Sequence, residues 1–326
     1  MTTPPQSTPE PDEAAPEPDE AASGDSTPHR SGFISFVGRP NAGKSTLTNA
    51  LVGEKIAITS DKPQTTRRAI RGIVNRDDAQ IVIVDTPGLH RPRTLLGERL
   101  NDVVTATLSE VDVIGFCLPA GEKVGPGDRY IARMLAEHTR APVIGIVTKT
   151  DIAPPNRIAE ALVEVSGLQS ELSRDFADII PISAVSGDQV ELLADLIIAQ
   201  LPEGPQLFLD DEKTDETTES LIAEFIREAA LSEVRDELPH SIACAVQEML
   251  PREDSDVIDV HATLYVERQS QKPIILGPRG ARIKKIGTTA RQQIEERLGL
   301  RIYLHLHVSV LAEWQRDPKK LTRLGF

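Results

Sequence analysis

Gly38-Arg39-Pro40-Asn41-Ala42-Gly43-Lys44-Ser45, followed by Thr46, keeps the spacing Gly-x-x-x-x-Gly-Lys-Ser. Glycines let such a backbone curl until its N–H groups point inward at phosphate oxygens. A helix opening at the lysine adds partial positive charge. Lys44 would neutralise the outer phosphates of a nucleoside triphosphate, and Ser45 would hold a magnesium ion. A chance glycine turn can meet the fixed positions. It does not also bring an apolar strand before them and a helical stretch after.

Further candidates follow in chain order. Asp85-Thr86-Pro87-Gly88-Leu89 ends the apolar run Ile81–Val84. A carboxylate at that point can hold magnesium through water. The Gly88 N–H can meet the terminal phosphate, so the segment behind it would sense hydrolysis. Alone, Asp-x-Pro-Gly is an ordinary turn; its position after the phosphate loop gives it meaning. Between the two lies Gln64-Thr65-Thr66-Arg67-Arg68. A threonine hydroxyl there could complete the magnesium shell while the terminal phosphate is present, and the sequence leaves Thr65 and Thr66 equally placed. Thr148-Lys149-Thr150-Asp151 follows the run Val143–Val147. The Asp151 carboxylate can accept from N1–H and the 2-amino group of guanine. Adenine lacks that donor pair, so Asp151 separates GTP from ATP. The Lys149 stem can cover the ring, and Ser183-Ala184 could offer a backbone N–H to guanine O6.

This ordered set resembles the translation-factor-related GTPases. Its wording resembles the Era family in particular: Gly-Arg-Pro-Asn-Ala-Gly-Lys-Ser-Thr, Gln-Thr-Thr-Arg and Asp-Thr-Pro-Gly-Leu-His. One position departs. The family normally has Asn-Lys-x-Asp, where the Asn bonds guanine N7 and braces the phosphate loop, and here Thr148 stands in its place. Ras-like GTPases carry a water-orienting Gln just after Asp-x-x-Gly; here that position is Leu89, which cannot hydrogen-bond water. Intrinsic turnover should therefore be slow. In GTPases resembling this chain the phosphate-loop Asn can coordinate potassium beside the phosphates, which makes Asn41 the candidate ligand. His90 and Arg91 read as exposed switch residues.

A second chemistry lies downstream. Gly277-Pro278-Arg279-Gly280, read as lying between a strand and a helix, is followed by Arg282, Lys284, Lys285 and Arg291. Tight backbone at the glycines would let a single strand approach while the cations meet its phosphates. This resembles the KH module, whose Gly-x-x-Gly loop clamps about four nucleotides. The tail from Trp314-Gln315-Arg316-Asp317-Pro318 to Leu324-Gly325-Phe326 also resembles the Era C-terminus, and Trp314 could stack on a base or pack against the domain. The resemblance spans about Ser31–Phe326. It implies the 3′ end of small-subunit ribosomal RNA and the 30S subunit as partners, with a role in ribosome assembly. The residues alone imply only single-stranded RNA or DNA.

The elements that must position these residues alternate. Phe33–Val37, Ile81–Val84, Val113–Leu118, Val143–Val147 and Ile179–Ile182 read as buried strands, with Ile70–Val74 near an edge. Ser45–Leu51, Leu95–Leu108, Arg129–His138, Asn156–Leu172 and Val190–Gln200 read as helices. That alternation predicts an α/β domain over 31–202, a mostly parallel sheet with helices on both faces. Pro202-Glu203-Gly204-Pro205 and the acidic stretch to Glu219 predict a linker over 203–219. An α+β domain over 220–326 follows: a helix at Ser220–Leu231, strands at Ile242–Met249 and Val257–Val266, a helix at Ala281–Leu298, a strand at Arg301–Val310 and a short helical tail. Residues 1–30, with the near-repeat Pro-Asp-Glu-Ala-Ala, read as a disordered acidic tail.

Composition sets the outer limits. The chain has 326 residues, is 39% hydrophobic and only 3% aromatic, so its cores must be aliphatic. No apolar run reaches the roughly 20 residues of a membrane span, and no secretory signal opens the chain. The two cysteines, Cys117 and Cys244, read as buried thiols with no disulfide partner. A cytoplasmic protein is expected. The net charge of −14 argues against nucleic acid only until its distribution is seen, because the first 30 residues are acidic and Arg279–Arg301 is basic. Two other readings stand beside the GTP-driven switch: an RNA-binding scaffold whose nucleotide site is structural, and a GTPase touching the inner membrane face weakly and peripherally, for which no anchor is visible.

Overall fold

The computed structural model describes residues 28–62, 65–89, 92, 94–234 and 238–326. The expected acidic tail lies almost wholly outside the described residues, as do Gln64, His90 and Arg91. The first domain is built from β1 (Arg30–Val37), α1 (Lys44–Val52), β2 (Ile70–Asn75), β3 (Ala79–Asp85), α2 (Leu95–Glu110), β4 (Val113–Pro119), α3 (Pro126–His138), β5 (Val143–Thr148), α4 (Pro155–Ser166), α5 (Gln169–Leu172), β6 (Asp178–Pro181) and α6 (Val190–Gln200). The sheet order is β2-β3-β1-β4-β5-β6, parallel throughout except for the antiparallel edge strand β2.

The central strands are buried along their whole length, which is why they read as unbroken aliphatic runs. One core lies between the sheet and α1 with α6, around Ile34, Leu47, Ile81 and Leu193. The other face packs Phe116, Leu108, Ile131 and Val165. The nucleotide-site motifs follow the carboxyl ends of β1, β3, β5 and β6, the edge of a parallel sheet where ligands bind. The single helix expected over Asn156–Leu172 is two. The first ends at Gly167, whose N–H bonds Val163 O, and the chain restarts at Gln169.

The second domain holds α7 (Thr218–Glu233), β7 (Ala243–Pro251), β8 (Val257–Val266), α8 (Lys272–Leu276), α9 (Ala281–Leu298), β9 (Arg301–Val310) and α10 (Pro318–Arg323). Its sheet runs β7-β8-β9, antiparallel then parallel. Helices α7 and α9 cover one face, burying Phe225, Ile226, Ile286 and Ile294 against Val260, Leu264 and Ile302. The short helix α8 corrects the expected strand before Gly277.

The stretch expected as a linker runs against the sheet. Gln80 accepts from the Leu207 and Phe208 N–H groups and donates to Phe208 O. Ile73 N–H reaches Lys213 O, and Arg71 pairs with Asp215 at 2.6 Å. The bonds of Ile73 and Arg71 cover part of the otherwise open edge strand β2, and Gln80 ties the segment to β3 beside it. The two domains also share a core, since Ile58 of the first is buried among Ile222 and Phe225 of the second.

Candidate functional site: a nucleotide cleft and an RNA loop

The phosphate loop leaves β1 at Gly38 and enters α1 at Lys44, whose N-cap Gly43 is left-handed at φ 90°. Asn41 is left-handed too, at φ 63°, and its amide donates to Asp61 O at 2.7 Å. Together Pro40–Thr46, Ile58–Asp61, Thr65, Thr66, Gly88 and Lys149 line a cleft of about 360 Å³. Lys44 is buried, its ammonium drawn over the loop by Gly38 O and Arg39 O, each at 3.3 Å. Arg39 contributes backbone only. Its guanidinium turns to Asp128 at 2.7 Å and Glu122 at 3.0 Å, away from the loop's concavity.

The oxygen cluster beside Lys44 fits a hard divalent cation. Ser45 Oγ lies 2.9 Å from Thr66 Oγ1 and donates to Asp85 Oδ2 at 2.8 Å, while Thr66 donates to the same oxygen at 3.0 Å. Asp85 Oδ1 is buried without a hydrogen-bond partner among the described residues. Burial pushes the Asp85 carboxyl above its ordinary range against the pull of Lys44, and burial likewise lowers Lys44. An orphaned buried carboxylate oxygen beside two hydroxyls matches the all-oxygen shell magnesium requires. Thr65 and Thr66 stood level in the sequence, and the structure separates them. Thr65 Oγ1 turns back to Lys62 O at 2.7 Å. Gly88 packs so tightly on the loop that a Cβ there would lie 3.2 Å from Pro40 N and Cα, and 3.3 Å from Lys44 Nζ. Leu89 is buried in the core with Val84 and Val104, and its aliphatic side chain has no group that could orient a water. Thr86 is also buried, bonded to Phe36 O. Pro87 follows it in the stretch leading to Gly88.

A second cleft of about 200 Å³ continues from the first, lined by Gly43, Thr46, Leu47, Thr148, Lys149, Asp151, Ile152, Ile182, Ala184 and Val185. Its apolar walls and single carboxylate suit a purine ring. Thr148 Oγ1 donates to Ala42 O at 2.7 Å, so the threonine does brace the phosphate loop. Ser183 has a role its sequence did not announce: its hydroxyl donates to Asp151 Oδ1 at 2.8 Å and fixes the carboxylate. The Ser183 N–H is taken by Asp188 O, so of the pair only the Ala184 N–H could still meet guanine O6.

On the second domain, Gly277, Arg279 and Gly280 all have positive φ, at 70°, 52° and 76°; Arg279 and Gly280 are left-handed, while Gly277 has an extended ψ of 176°. A Cβ on Gly277 would lie 2.7 Å from the Arg282 side chain, so only glycine fits there. The loop caps α9. Arg282 is spent bracing it, donating to Ile274 O. Lys285 pairs with Glu233 at 2.8 Å and Arg291 approaches Glu295 at 3.9 Å. Arg279 and Lys284 are exposed and make no ion pair among the described residues; Pro278 is exposed between the glycines. Trp314 is fully buried, its indole donating to Ser241 O at 3.2 Å, and so packs rather than stacking on a base. Cys117 is a buried free thiol, raised by burial to about 12, and Cys244 is a half-buried one. Among the described residues no helix is long and apolar enough to cross a membrane.

Fold and sites together define a P-loop GTPase that carries a C-terminal KH domain. Residues 33–149 match the family described as 50S ribosome-binding GTPase, and residues 237–315 match the KH domain. The chain is 62% identical over 308 residues to GTPase Era of Nocardioides sp., covering 93% of this chain and 98% of that protein. It is 60% identical over 304 residues to GTPase Era of Streptomyces coelicolor, covering 92% and 96%. Its fold is similar to Era crystallised with MgGDPNP and nucleotides 1506–1542 of 16S ribosomal RNA, with a TM-score of 0.86, 37% identity and coverage of 91% of this chain and 99% of that one. A variant of Aquifex aeolicus Era bound to GDP·AlF4− matches with the same TM-score, identity and coverage. The chain belongs to the Era family of GTPases.

Proposed function

We propose that this GTPase times the hold of its KH domain on single-stranded RNA at the 3′ end of small-subunit ribosomal RNA, and so acts in 30S subunit assembly. The Gly277–Gly280 loop carries this reading: a tight positive-φ backbone flanked by the exposed cations of Arg279 and Lys284, which make no ion pair among the described residues. The ribosomal RNA segment in the similar Era crystal supports the choice of partner.

GTP binds with its phosphates against the Pro40–Thr46 backbone and its guanine in the adjoining cleft, where Asp151, held by Ser183, accepts from the ring edge. Lys44 sits against the phosphates as a desolvated cation, worth far more there than in water. Ser45 and Thr66 would hold magnesium directly and Asp85 through water. Bound there, magnesium would neutralise charge developing on the phosphates. Gly88 donates its N–H to the terminal phosphate, and loss of that phosphate frees the segments around Thr66 and Gly88. With Leu89 buried, no side chain at its position orients the water, and intrinsic hydrolysis is slow. Asn41, projecting over the same cleft, is the potassium ligand; turnover should be faster in potassium than in sodium, and Asn41→Ala should erase the difference.

The test is RNA crosslinking of wild type and Gly280→Asp. A Cβ on Gly280 meets nothing closer than 3.9 Å, and aspartate, which tolerates the left-handed φ of 76° there better than most residues at a cost of about 1 kcal/mol, places a negative charge where phosphates pass; a melting curve of the variant checks that it is folded. Crosslinks should gather near the small-subunit 3′ end in wild type and vanish in the variant. Crosslinks spread evenly over the RNA, or retained in the variant, would contradict the reading.

A further inference from the structure

Thr66 reaches inward to Ser45 and Asp85, but its neighbours face the other way. Arg67 is 2% exposed and donates to Ile242 O at 2.5 Å, His240 O at 2.9 Å and Pro239 O at 3.1 Å, all in the KH domain. Trp314 takes the remaining carbonyl of that turn, Ser241 O, and its ring lies 5.5 Å from the Arg67 guanidinium. One side chain from the switch loop and one from the C-terminal tail thus cap four consecutive carbonyls. Arg68 donates to Leu324 O at 2.5 Å and to Ser220 Oγ at 2.9 Å, and it lies over Phe326 at 5.5 Å. Arg227 of α7 donates to Thr65 O. Leu96 and Leu100 of α2, the helix behind Gly88, are buried against Trp314, Leu321 and Leu324.

The energetics make this contact close to all-or-none. The Arg67 guanidinium is out of water, and the groups that accept from it are backbone carbonyls. If residues 239–242 moved away while the loop stayed, a buried charge would lose its acceptors, the costliest outcome for a polar group. The loop must therefore travel with the KH domain, or rehydrate. Either way the backbone carrying Thr66 shifts.

We propose that Arg67 is a positioning residue of the nucleotide site: it ties Thr66 to the Pro239–Ile242 turn, so that Thr66 reaches the magnesium and terminal phosphate only while the KH domain and tail are docked as here. This rests on the reading of Thr66 as the triphosphate-state ligand. By linkage, GTP fastens the docked arrangement as much as docking favours GTP. An RNA that displaces the turn would release Thr66 and weaken GTP more than GDP.

The test uses the full chain and measures affinities for Mg·GDP and Mg·GDPNP with wild type, Arg67→Ala, Arg67→Lys, Thr66→Ala and the Thr66→Ala/Arg67→Ala double variant. Arg67→Ala should lose about tenfold for the triphosphate analogue, the scale of a hydrogen bond to a charged group, and stay within about twofold for GDP. Lysine, a point charge that cannot span three carbonyls, should restore little. In the Thr66→Ala background, loss of Arg67 should add nothing. Trp314→Phe, which keeps most of the packing but drops the Ser241 bond, should shift the ratio in the same sense by less, and stands in if Arg67→Ala does not fold. Equal losses for both nucleotides, or additive losses in the double variant, would overturn the proposal. If Thr66→Ala lowers the ratio and Arg67→Ala does not, the Arg67 proposal alone fails. If Thr66→Ala leaves the ratio unchanged, the reading of Thr66 fails, and the Arg67 proposal with it.

Discussion

Lys44 and Asp85 of the nucleotide cleft are each less than a tenth exposed and lie beside bonded hydroxyls, while Arg279 and Lys284 of the KH loop and its helix stand in solvent without an ion pair among the described residues. In the function proposed above both regions meet phosphate, with opposite physics. The cleft holds its charges out of water before the ligand arrives, so its donors are strong and already aimed. The loop offers hydrated cations on a narrow backbone, so its grip comes from counterion release and weakens with salt. A site of the first kind can carry chemistry and tell two phosphate states apart. A site of the second kind holds a strand and lets it go.

The sharpest break in that comparison is Asp85→Asn. It should lower magnesium-dependent GTP hydrolysis by about a hundredfold or more yet raise the thermal stability of the nucleotide-free protein, because a buried carboxylate without a full set of partners is replaced by a neutral amide. The sign with pH follows from the raised carboxyl. Below its unfolded value Asp85 is protonated in both states and costs little. As pH rises through its folded value the buried charge appears, and wild type loses stability relative to the variant. The variant's thermal advantage should therefore grow from acid to neutral pH in melting curves recorded with a chelator. An advantage that shrinks over that range would contradict the burial argument.

At the loop, Arg279→Ala and Lys284→Ala should each weaken RNA binding by about three- to tenfold and reduce the salt slope by about one. Lys285→Ala should do less, since Glu233 already neutralises that ammonium. Titrations at several salt concentrations read this directly, and equal losses at all three positions would deny the ranking. A smaller effect is expected at the seam between phosphate and base. Thr148→Ala removes one neutral hydrogen bond to Ala42 O and should weaken GDP and GTP alike by about fivefold, near 1 kcal/mol. A loss confined to one nucleotide would mean that Thr148 does more than brace the loop.

The two regions also differ in how far their sequence revealed them. The positions of the phosphate loop, Asp85 and Asp151 were legible because each follows locally from the end of an apolar strand, and β8, α9 and β9 kept their expected bounds for the same local reason. The choice of Thr66 over Thr65 was not legible, since both carry the same hydroxyl and only the folded loop decides which faces Ser45. The break after Gly167 and the short α8 escaped because apolar spacing continues through them. The linker's attachment to the sheet edge rests on Gln80, a lone polar residue in an apolar run, 127 positions from Leu207. Arg67 and the Pro239–Ile242 turn are up to 175 positions apart, and no periodicity reports such a bond.

The central claim is that one chain uses GTP to set its hold on RNA. Fluorescence anisotropy of a labelled oligonucleotide from the small-subunit ribosomal RNA 3′ end, titrated with the full chain in saturating Mg·GDPNP and in saturating Mg·GDP, tests it most directly. The account predicts dissociation constants that differ by about tenfold, the usual scale of coupling between two sites. Equal constants in the two nucleotides would contradict it.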